Sequence, residues 1–498
     1  MSILLLAVLT LVAGVSPAAA FEGDPAAQVV ELFVTHQEYD ARMPWAKPAP
    51  DVRSALAMVV DGPRLLTTAQ MVDGAILVQA QKRGGPAKVP ARIVHADWEV
   101  NLAVLAVDEP GFFADLVPVR LAGDLGSADT PLKTVRWRQG QLEISNTRPA
   151  RFEVRQPHGA NLDLAVLMVK NDLAGGGWAE PVFAGDALAG LSVAQDEDQA
   201  WVLPVATIGR YLEAVKTGDY AGFAPLGITW QPNRDPALAA HLGLSGEPRG
   251  VVVLAVPHGT SAEGILMPRD VLLSLDGHAI DSEGYYQHPR YGRILFPAIA
   301  TDGHQAGDRL AAEILRDGRI EAVTIPLICH PTWARLVPRW PDIHPPPYLV
   351  LGGLVFQELD GSFLAIWGKN WSQEADPRLL AYWDLEREAQ TPERRRIVLL
   401  SYVLPSPYTI GYQALRFLAV RSVNGRPVDT IASLAAALAA PEGSYHRIVF
   451  APNPARDELV LDAAAEPAAT AAVLAAYNIP ERLRLSSPVD AELEPRCP

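Results

Sequence analysis

Short apolar segments that end at Gly, Pro or Asp turns are the feature that most constrains this fold. Residues 54–60 run into Asp-Gly-Pro at 61–63, and residues 75–80 are followed by Gly-Gly-Pro at 84–86. The 498 residues include 38 glycines and 43 prolines, so such turns recur along the chain. Segments of this length, bounded in this way, are typical of strands. The pattern predicts an all-β barrel or sandwich in the first two hundred residues.

A few helices and one near-repeat interrupt this pattern. Apolar spacing predicts helices over 205–215 and 431–438, and Pro at the start with Gly just past the end predicts a third over 236–242. The segments 102–107 and 164–169 are similar, about 60 residues apart. Two related barrels would account for that similarity, and so would chance resemblance between apolar strands.

The length favours about three domains. Changes in composition divide the chain into blocks at 21–220, 222–330 and 348–482. Residues 331–347 contain six prolines and are expected to form a stiff linker. Residues 483–498 form a tail, and the part after Ser486 is acidic and contains prolines, which predicts that it is loose.

The first twenty residues have the layout of a secretory signal peptide. An apolar run at 3–12 is broken by Gly and Pro, and three alanines at 18–20 precede Phe21, the expected first residue after cleavage. No Lys or Arg precedes the run, so an uncleaved anchor is the alternative. The prediction is a periplasmic or secreted protein.

Charge and composition argue against several classes of partner and cofactor. There are 42 Lys and Arg against 57 Asp and Glu, a formal charge of −15, which disfavours a nucleic-acid or anionic membrane surface as partner. The glycines at 175–177 lack the Lys and Ser or Thr of a phosphate loop. Eleven histidines show no metal-binding spacing, and Cys329 and Cys497 are too few for a four-cysteine zinc site. We therefore expect no cofactor, no metal and no nucleic acid.

Three motifs in the first block resemble the trypsin-like domain of the HtrA/Deg serine proteases. Residues 65–72 (LLTTAQMV) resemble the family's I-L-T-N-x-H-V, and residues 97–105 (DWEVNLAVL) resemble its D-x-x-x-D-L-A-V-L. Residues 176–182 (GGWAEPV) align on their proline with G-N-S-G-G-P-L. The resemblance implies a fold that is mainly β with some α: a trypsin-like double β-barrel followed by two PDZ-like domains.

The family's catalytic side chains are replaced at all three motif positions. Gln70 stands where the family has His, Asn101 where it has Asp, and Trp178 where it has Ser. Proteolysis needs a hydroxyl nucleophile, an imidazole base and a carboxylate, and none of these side chains supplies one. Ala179 and Glu180 also replace the two glycines that follow the nucleophile in the family. The interpretation is a pseudoprotease with a degenerate triad.

An active serine-type endopeptidase in envelope protein quality control is the alternative. It requires that other residues carry the chemistry. Asp163 begins a second D-L-A-V-L segment, although a strand-capping role is the simpler reading. Ser192 lies in an apolar strand and is expected to be packed there, and His95 has no serine motif nearby.

The second block resembles an HtrA/Deg-type PDZ domain. Leu226-Gly227-Ile228 matches the carboxylate-binding loop, and Gly227 would let a peptide carboxylate approach the backbone closely. The other matching segments are 250–256, 259–262, 264–272 and 275–280. In this mode a peptide adds to a sheet edge and its carboxylate meets free backbone N–H groups. A groove closed by the insertion at 281–307 is the alternative.

The third block is similar to the second, divergent PDZ-like domain of plant-type Deg proteases. The matching segments are 345–350, 353–356, 410–412, 423–428 and 473–480. The resemblance implies that this domain serves assembly, in a homo-oligomer built from trimers. The partners it implies are polypeptide C-termini or unfolded proteins, or an active Deg relative that this chain regulates.

Overall fold

The computed structural model describes residues 24–83, 85, 87–123, 130–138, 141–157, 160–172, 178–330, 334–339, 345–368 and 370–485. The predicted signal peptide, its cleavage site and the tail from residue 486 onward lie outside these ranges. No helix in the described ranges is both long and apolar enough to cross a lipid bilayer.

Six strands form a closed barrel at the start of the chain. Their order around the barrel is β1-β2-β3-β6-β5-β4, and β1 closes it by pairing with both β2 and β4. Alternate side chains of β1, such as Val30, Leu32 and Val34, fill one apolar core, as the two-residue period of a strand requires. The strands are β1 Val29–His36, β2 Asp51–Val60, β3 Arg64–Thr67, β4 Ala75–Gln81, β5 Val89–Asp97 and β6 Leu102–Val107.

A second barrel follows. Its order is β11-β8-β9-β10-β13-β12, closed by pairing of β11 with β12, while β7 joins β12 in parallel. The strands are β7 Arg120–Leu121, β8 Leu132–Arg138, β9 Gln141–Arg155, β10 Leu164–Asn171, β11 Pro181–Ala184, β12 Ala187–Asp196 and β13 Gln199–Pro204. The similar segments of the sequence are β6 and β10, one in each barrel. Helix α1, Val205–Thr217, then ends at Gly218, whose φ of +79° is the left-handed cap that glycine favours.

The next sheet runs in the order β14-β15-β16-β20-β21, with β17 beside β16. Strands β18 and β19 form a separate hairpin within the predicted insertion. The elements are β14 Thr229–Pro232, α2 Pro236–His241, β15 Val251–Ala255, β16 Val271–Leu275, β17 His278–Ala279, β18 Tyr285–His288, β19 Gly292–Leu295, α3 Ala298–Thr301, β20 Arg309–Arg316 and β21 Arg319–Pro326. Strand β14 is an edge of this sheet among the described residues.

The last sheet has the order β28-β27-β25-β24-β23-β22-β29, with β26 beside β25. Its elements are β22 Tyr348–Leu351, β23 Leu354–Glu358, α4 Gly361–Leu364, α5 Trp371–Glu374, α6 Pro377–Ala381, β24 Val398–Val403, β25 Leu418–Val423, β26 Arg426–Pro427, α7 Ile431–Leu438, β27 Tyr445–Phe450, β28 Glu458–Asp462, α8 Glu466–Ala476 and β29 Leu483–Arg484. The three helices predicted from the sequence are confirmed as α1, α2 and α7.

Two segments outside the blocks contact the folded domains. Leu336 and Val337, in the predicted linker, are buried in an apolar core with Phe363 and Leu379, and this burial stabilises their position. The predicted tail begins with β29, which pairs with β22 and so extends the last sheet. The part after Ser486, which is predicted to be loose, lies outside the described residues.

Candidate functional site

The structure places Gln70 and Asn101 in direct contact. Gln70 lies in a 3₁₀ turn, Ala69–Met71, directly after β3, and Asn101 precedes β6 with a φ of +58°. Strands β3 and β6 pair, so both residues reach the same end of the barrel. The backbone N–H of Gln70 donates to Oδ1 of Asn101 at 2.8 Å. An amide therefore holds the backbone here, and the contact contains neither an imidazole nor a carboxylate.

The chain neighbours of all three predicted triad positions pack together at the junction of the two barrels. Met71, Val100 and Ala179 belong to one buried cluster that draws on both barrels. Trp178, next to Ala179, is 38% exposed. Ala179 is fully buried with a φ of +58°, and its N–H donates to the Ser192 carbonyl at 3.2 Å. Gly176 and Gly177 lie outside the described residues.

Glu180 forms a buried ion pair beside this junction. Arg136 Nε donates to Glu180 Oε2 at 3.0 Å, and the two side chains are 1% and 6% exposed. Gln195 Nε2 donates to the same oxygen at 3.3 Å. A buried pair of this kind must stay complete, because removing one partner leaves an uncompensated charge in the interior. Sequence reasoning found Glu180 as a departure from glycine, but no local signal in the sequence identified Arg136.

The serine and the histidine considered as alternative catalytic groups are hydrogen-bonded to other residues and not to each other in the described part of the chain. Ser192 is 1% exposed within β12 and accepts a hydrogen bond from Gln195 Nε2 at 3.4 Å. His95 Nδ1 and the Tyr211 hydroxyl are hydrogen-bonded at 3.0 Å, and burial lowers the pKa of His95 to about 4. Among the described residues, no histidine is hydrogen-bonded to a serine hydroxyl.

A buried polar cluster behind the junction was not recognised in the sequence. The Tyr220 hydroxyl donates to the carboxyl group of Asp97, which is fully buried. Burial raises the pKa of Asp97, although the hydrogen bond from Tyr220 opposes that shift. The ring of His95 packs edge-on against Tyr220 with centroids 4.5 Å apart. Asp97 begins the second protease-like motif, but only the tertiary fold brings Tyr220 to it.

The predicted carboxylate-binding loop lines a cavity of about 140 Å³. Two side chains from the turn after β15 hold the loop in place. Thr260 Oγ1 donates to the Gly227 carbonyl at 3.0 Å, and Ser261 Oγ donates to the Pro225 carbonyl at 2.7 Å. In the described part of the chain, the N–H groups of Leu226, Gly227 and Ile228 donate to no other group. Three successive unpaired donors are an unusual feature of a folded backbone, and together they match an anionic acceptor.

The structure shows a further constraint on Gly227. Its φ is +73°, and an added Cβ would lie 2.8 Å from Oγ1 of Thr260, inside van der Waals contact. The missing side chain therefore makes room for Thr260, which holds the loop, and its role toward a ligand stays a prediction. Sequence reasoning could not separate these roles, because the two residues are 33 positions apart.

The predicted insertion forms a wall of this cavity. Phe296, Pro297 and Thr301 line it, and Phe296 packs edge-on against Trp230 of β14 with centroids 5.0 Å apart. The hairpin is held from the other side, because Tyr291 stacks on Phe152 of the second barrel at 4.2 Å. The insertion thus leaves the cavity in place beside the edge strand.

Residues from the other two domains complete the cavity. Asn161 and Asp163 come from the second barrel, and Arg335, Arg387 and Gln390 come from the segments around the last domain. Sequence reasoning assigned no ligand role to any of them. They follow no local motif, and only the packing of the domains places them beside the loop.

Comparison with known proteins relates the chain to one family. A family model described as a PDZ domain matches residues 338–484. "Putative protease Do-like 13" of Arabidopsis thaliana is 25% identical over 413 residues, which cover 82% of this chain and 78% of that protein. "Protease Do-like 2, chloroplastic", from the same plant, is 26% identical over 464 residues, covering 91% of this chain and 74% of that protein. The chain is thus similar to HtrA/Deg proteases over most of its length.

The resemblance and the fold class predicted from the sequence are thus confirmed: an HtrA/Deg protease-like protein with a trypsin-like double barrel and PDZ-like domains. Among solved structures, "HtrA-type protease AlgW with decapeptide" is 19% identical with a TM-score of 0.46. The match covers 61% of this chain and 97% of that one.

Proposed function

We propose that this HtrA/Deg-like protein is a pseudoprotease that binds the free C-termini of polypeptides. The row of unpaired N–H groups at Leu226, Gly227 and Ile228 carries the proposal. Such groups in a cavity wall cost free energy unless water or a ligand accepts from them. A terminal carboxylate fits them, and the neighbouring edge strand β14 can pair with the preceding peptide backbone.

The barrel junction supports the absence of catalysis. The aligned triad positions hold two amides and an indole, and the Gln70 N–H donates to the Asn101 side chain. Neither amide is basic near neutral pH, and the indole is no nucleophile. We therefore expect the protein to act by binding, either as a scaffold for its clients or as a regulator of an active Deg relative.

Peptide binding is tested with labelled decapeptides that end in an apolar residue, using fluorescence anisotropy. Peptides with a free C-terminus should bind, and the same peptides with an amidated C-terminus should bind at least about ten-fold more weakly, the ratio that about 1.4 kcal/mol produces. Equal binding of the two forms would remove the argument from the carboxylate.

The alternative is an active endopeptidase, and the relatives reported above are named as proteases. It is tested by incubating the protein with casein and with a serine-reactive phosphonate probe. We expect no cleavage above background and no labelling. Cleavage that is lost in Ser192→Ala but kept in Trp178→Ala would establish the alternative and locate its nucleophile.

We further propose that the protein works outside the cytoplasm, on the basis of the signal-like pattern in residues 1–20. N-terminal sequencing of the natural product should begin at Phe21, and a membrane-bound product that keeps Met1 would contradict this. The trimer-based assembly stays a prediction, which light scattering on the purified protein checks.

A further inference from the structure

The cavity beside the carboxylate-binding loop has a wall built by the last domain. Arg335 lies just before that domain, and Arg387, Glu388 and Gln390 follow its short helices. The segment is fastened to both other domains. Gln390 Nε2 donates to the His258 carbonyl at 2.8 Å, and Arg339 Nη1 donates to the Ala160 carbonyl at 3.2 Å. The last domain is therefore part of the peptide cavity as well as a candidate for assembly.

A cluster of three arginines lies at this wall. Arg335 and Arg387 line the cavity and share one carboxylate oxygen of Glu388, at 3.3 Å and 3.9 Å. Arg339 does not line the cavity, but it lies near enough that burial and then the charges of Arg387 and Arg335 lower its pKa. Asp163 is the second acid beside the arginines and opens into the cavity. The lining therefore holds two arginines and two carboxylates, and Arg339 adds a third positive charge nearby.

The same wall contains two unpaired acceptors. Asn161 and Gln390 are each 6% exposed, and Asn161 Oδ1 and Gln390 Oε1 have no hydrogen-bond partner. Because Gln390 donates through Nε2 to the His258 carbonyl, its Oε1 is the atom left in need of a donor. Acceptors of this kind match the amide N–H groups of a peptide. Unpaired donors, unpaired acceptors and an arginine pair that shares a single carboxylate oxygen together describe a peptide ligand that also carries negative charge.

We propose that Arg335 and Arg387 select peptides that carry an acidic side chain close to the C-terminus, in addition to the terminal carboxylate. The inference rests on the proposed function, since it assigns the terminal carboxylate to the loop. That carboxylate already meets three N–H donors there. The two guanidinium groups share only one oxygen of Glu388, which leaves donors for a second acidic group. A carboxylate is the group that an arginine pair recognises most specifically, because its two oxygens match the planar guanidinium donors.

The test compares matched decapeptides by fluorescence anisotropy with the full-length protein. Each has a free apolar C-terminal residue, and Asp or Asn stands at one of the three preceding positions. At one position at least, the Asp peptide should bind about ten-fold more tightly than the Asn peptide, and the preference should weaken as salt is added. Arg387→Gln should reduce this preference to less than about two-fold.

Arg394→Gln is the matched control, because Arg394 and Arg387 are both 40% exposed and both lie beside a glutamate, but Arg394 does not line the cavity. It should keep the full preference. Arg335→Gln is a second test, and if it fails to fold, Arg387→Gln decides alone. If Asp and Asn peptides bind equally, the proposed selectivity is wrong and peptide binding stands. If no peptide with a free C-terminus binds, both proposals are wrong.

Discussion

The barrel junction and the loop cavity differ in how many of their polar groups are paired. At the junction the Gln70 N–H is paired with Asn101 and Glu180 is paired with Arg136, although Oε1 of Gln70 has no partner. At the cavity the N–H groups of 226–228 and the acceptors of Asn161 and Gln390 are unpaired. Groups that satisfy one another stabilise the fold and leave nothing for a substrate. Groups left unpaired in a cavity wall indicate a place where a ligand completes the structure.

The prediction with the largest effect at stake concerns catalysis at the junction. Restoring Gln70→His, Asn101→Asp and Trp178→Ser together should not produce proteolysis, although loss of a triad costs about 10⁶-fold in kcat in an active enzyme. The reason is that Ala179 and Glu180 are held by Ser192 and Arg136, so the loop backbone is committed to other contacts. The measurement is casein cleavage by the triple variant. A cleavage rate about ten-fold or more above that of the unmodified protein would contradict this prediction. It would show that the three side chains alone separate this protein from an active protease.

The second prediction concerns the buried ion pair. Arg136→Met should lower the free energy of unfolding by about 3–5 kcal/mol, because Glu180 is left buried and unpaired. Arg148→Met is the matched control: Arg148 pairs with Asp172 at 2.9 Å but is 79% exposed, so its loss should cost less than about 1 kcal/mol. Urea denaturation measures both.

Adding Glu180→Leu to Arg136→Met should recover much of the lost stability, since it removes the unpaired charge. A loss that the double variant does not reduce would mean that Arg136 acts through its other contacts and not through Glu180.

The third prediction concerns pH and the polar cluster behind the junction. Burial lowers the pKa of His95 from 6.5 to about 4, so the unfolded chain binds a proton there that the folded chain does not. This contribution to stability is fully present above pH 6.5 and is lost as the pH falls toward 4, by about 3 kcal/mol at most. His95→Gln should remove that part of the pH dependence.

The difference in pH dependence between the unmodified protein and His95→Gln reports on His95 alone. The raised pKa of Asp97 affects stability with the opposite sign, and it does so equally in both proteins. Urea denaturation at pH 7 and pH 4.5 is the measurement. The same loss of stability in His95→Gln as in the unmodified protein would show that His95 is not the group that titrates.

The smallest expected effect concerns the loop. Gly227→Ala should destabilise the protein by about 1–3 kcal/mol more than Gly264→Ala, the cost of forcing a Cβ against Thr260. Gly264 has the same φ of +73° but nothing within 4 Å of an added Cβ, so the backbone strain is matched. Thermal unfolding compares the variants, and anisotropy should show weaker peptide binding for Gly227→Ala alone. Equal destabilisation would mean that Thr260 moves aside and that only the backbone conformation matters at Gly227.

The sequence by itself determined the local elements and the family. Short apolar segments with turn residues predict strands because side-chain period and turn chemistry are local properties, and the helices α1, α2 and α7 follow from spacing and flanking Pro or Gly. The motifs around Gln70, Asn101 and Trp178 and the loop at 226–228 were found because family motifs are contiguous in the chain.

Only the tertiary structure decided what those positions contact. Arg136 reaches Glu180 across 44 residues, Tyr220 reaches Asp97 across 123, and Gln390 reaches His258 across 132. No spacing rule connects residues so far apart, because their meeting depends on how barrels and sheets pack. For the same reason the constraint that Thr260 places on Gly227 was not recognised in the sequence. The arginines at the cavity were not recognised, because their domain reaches the loop only in the folded chain.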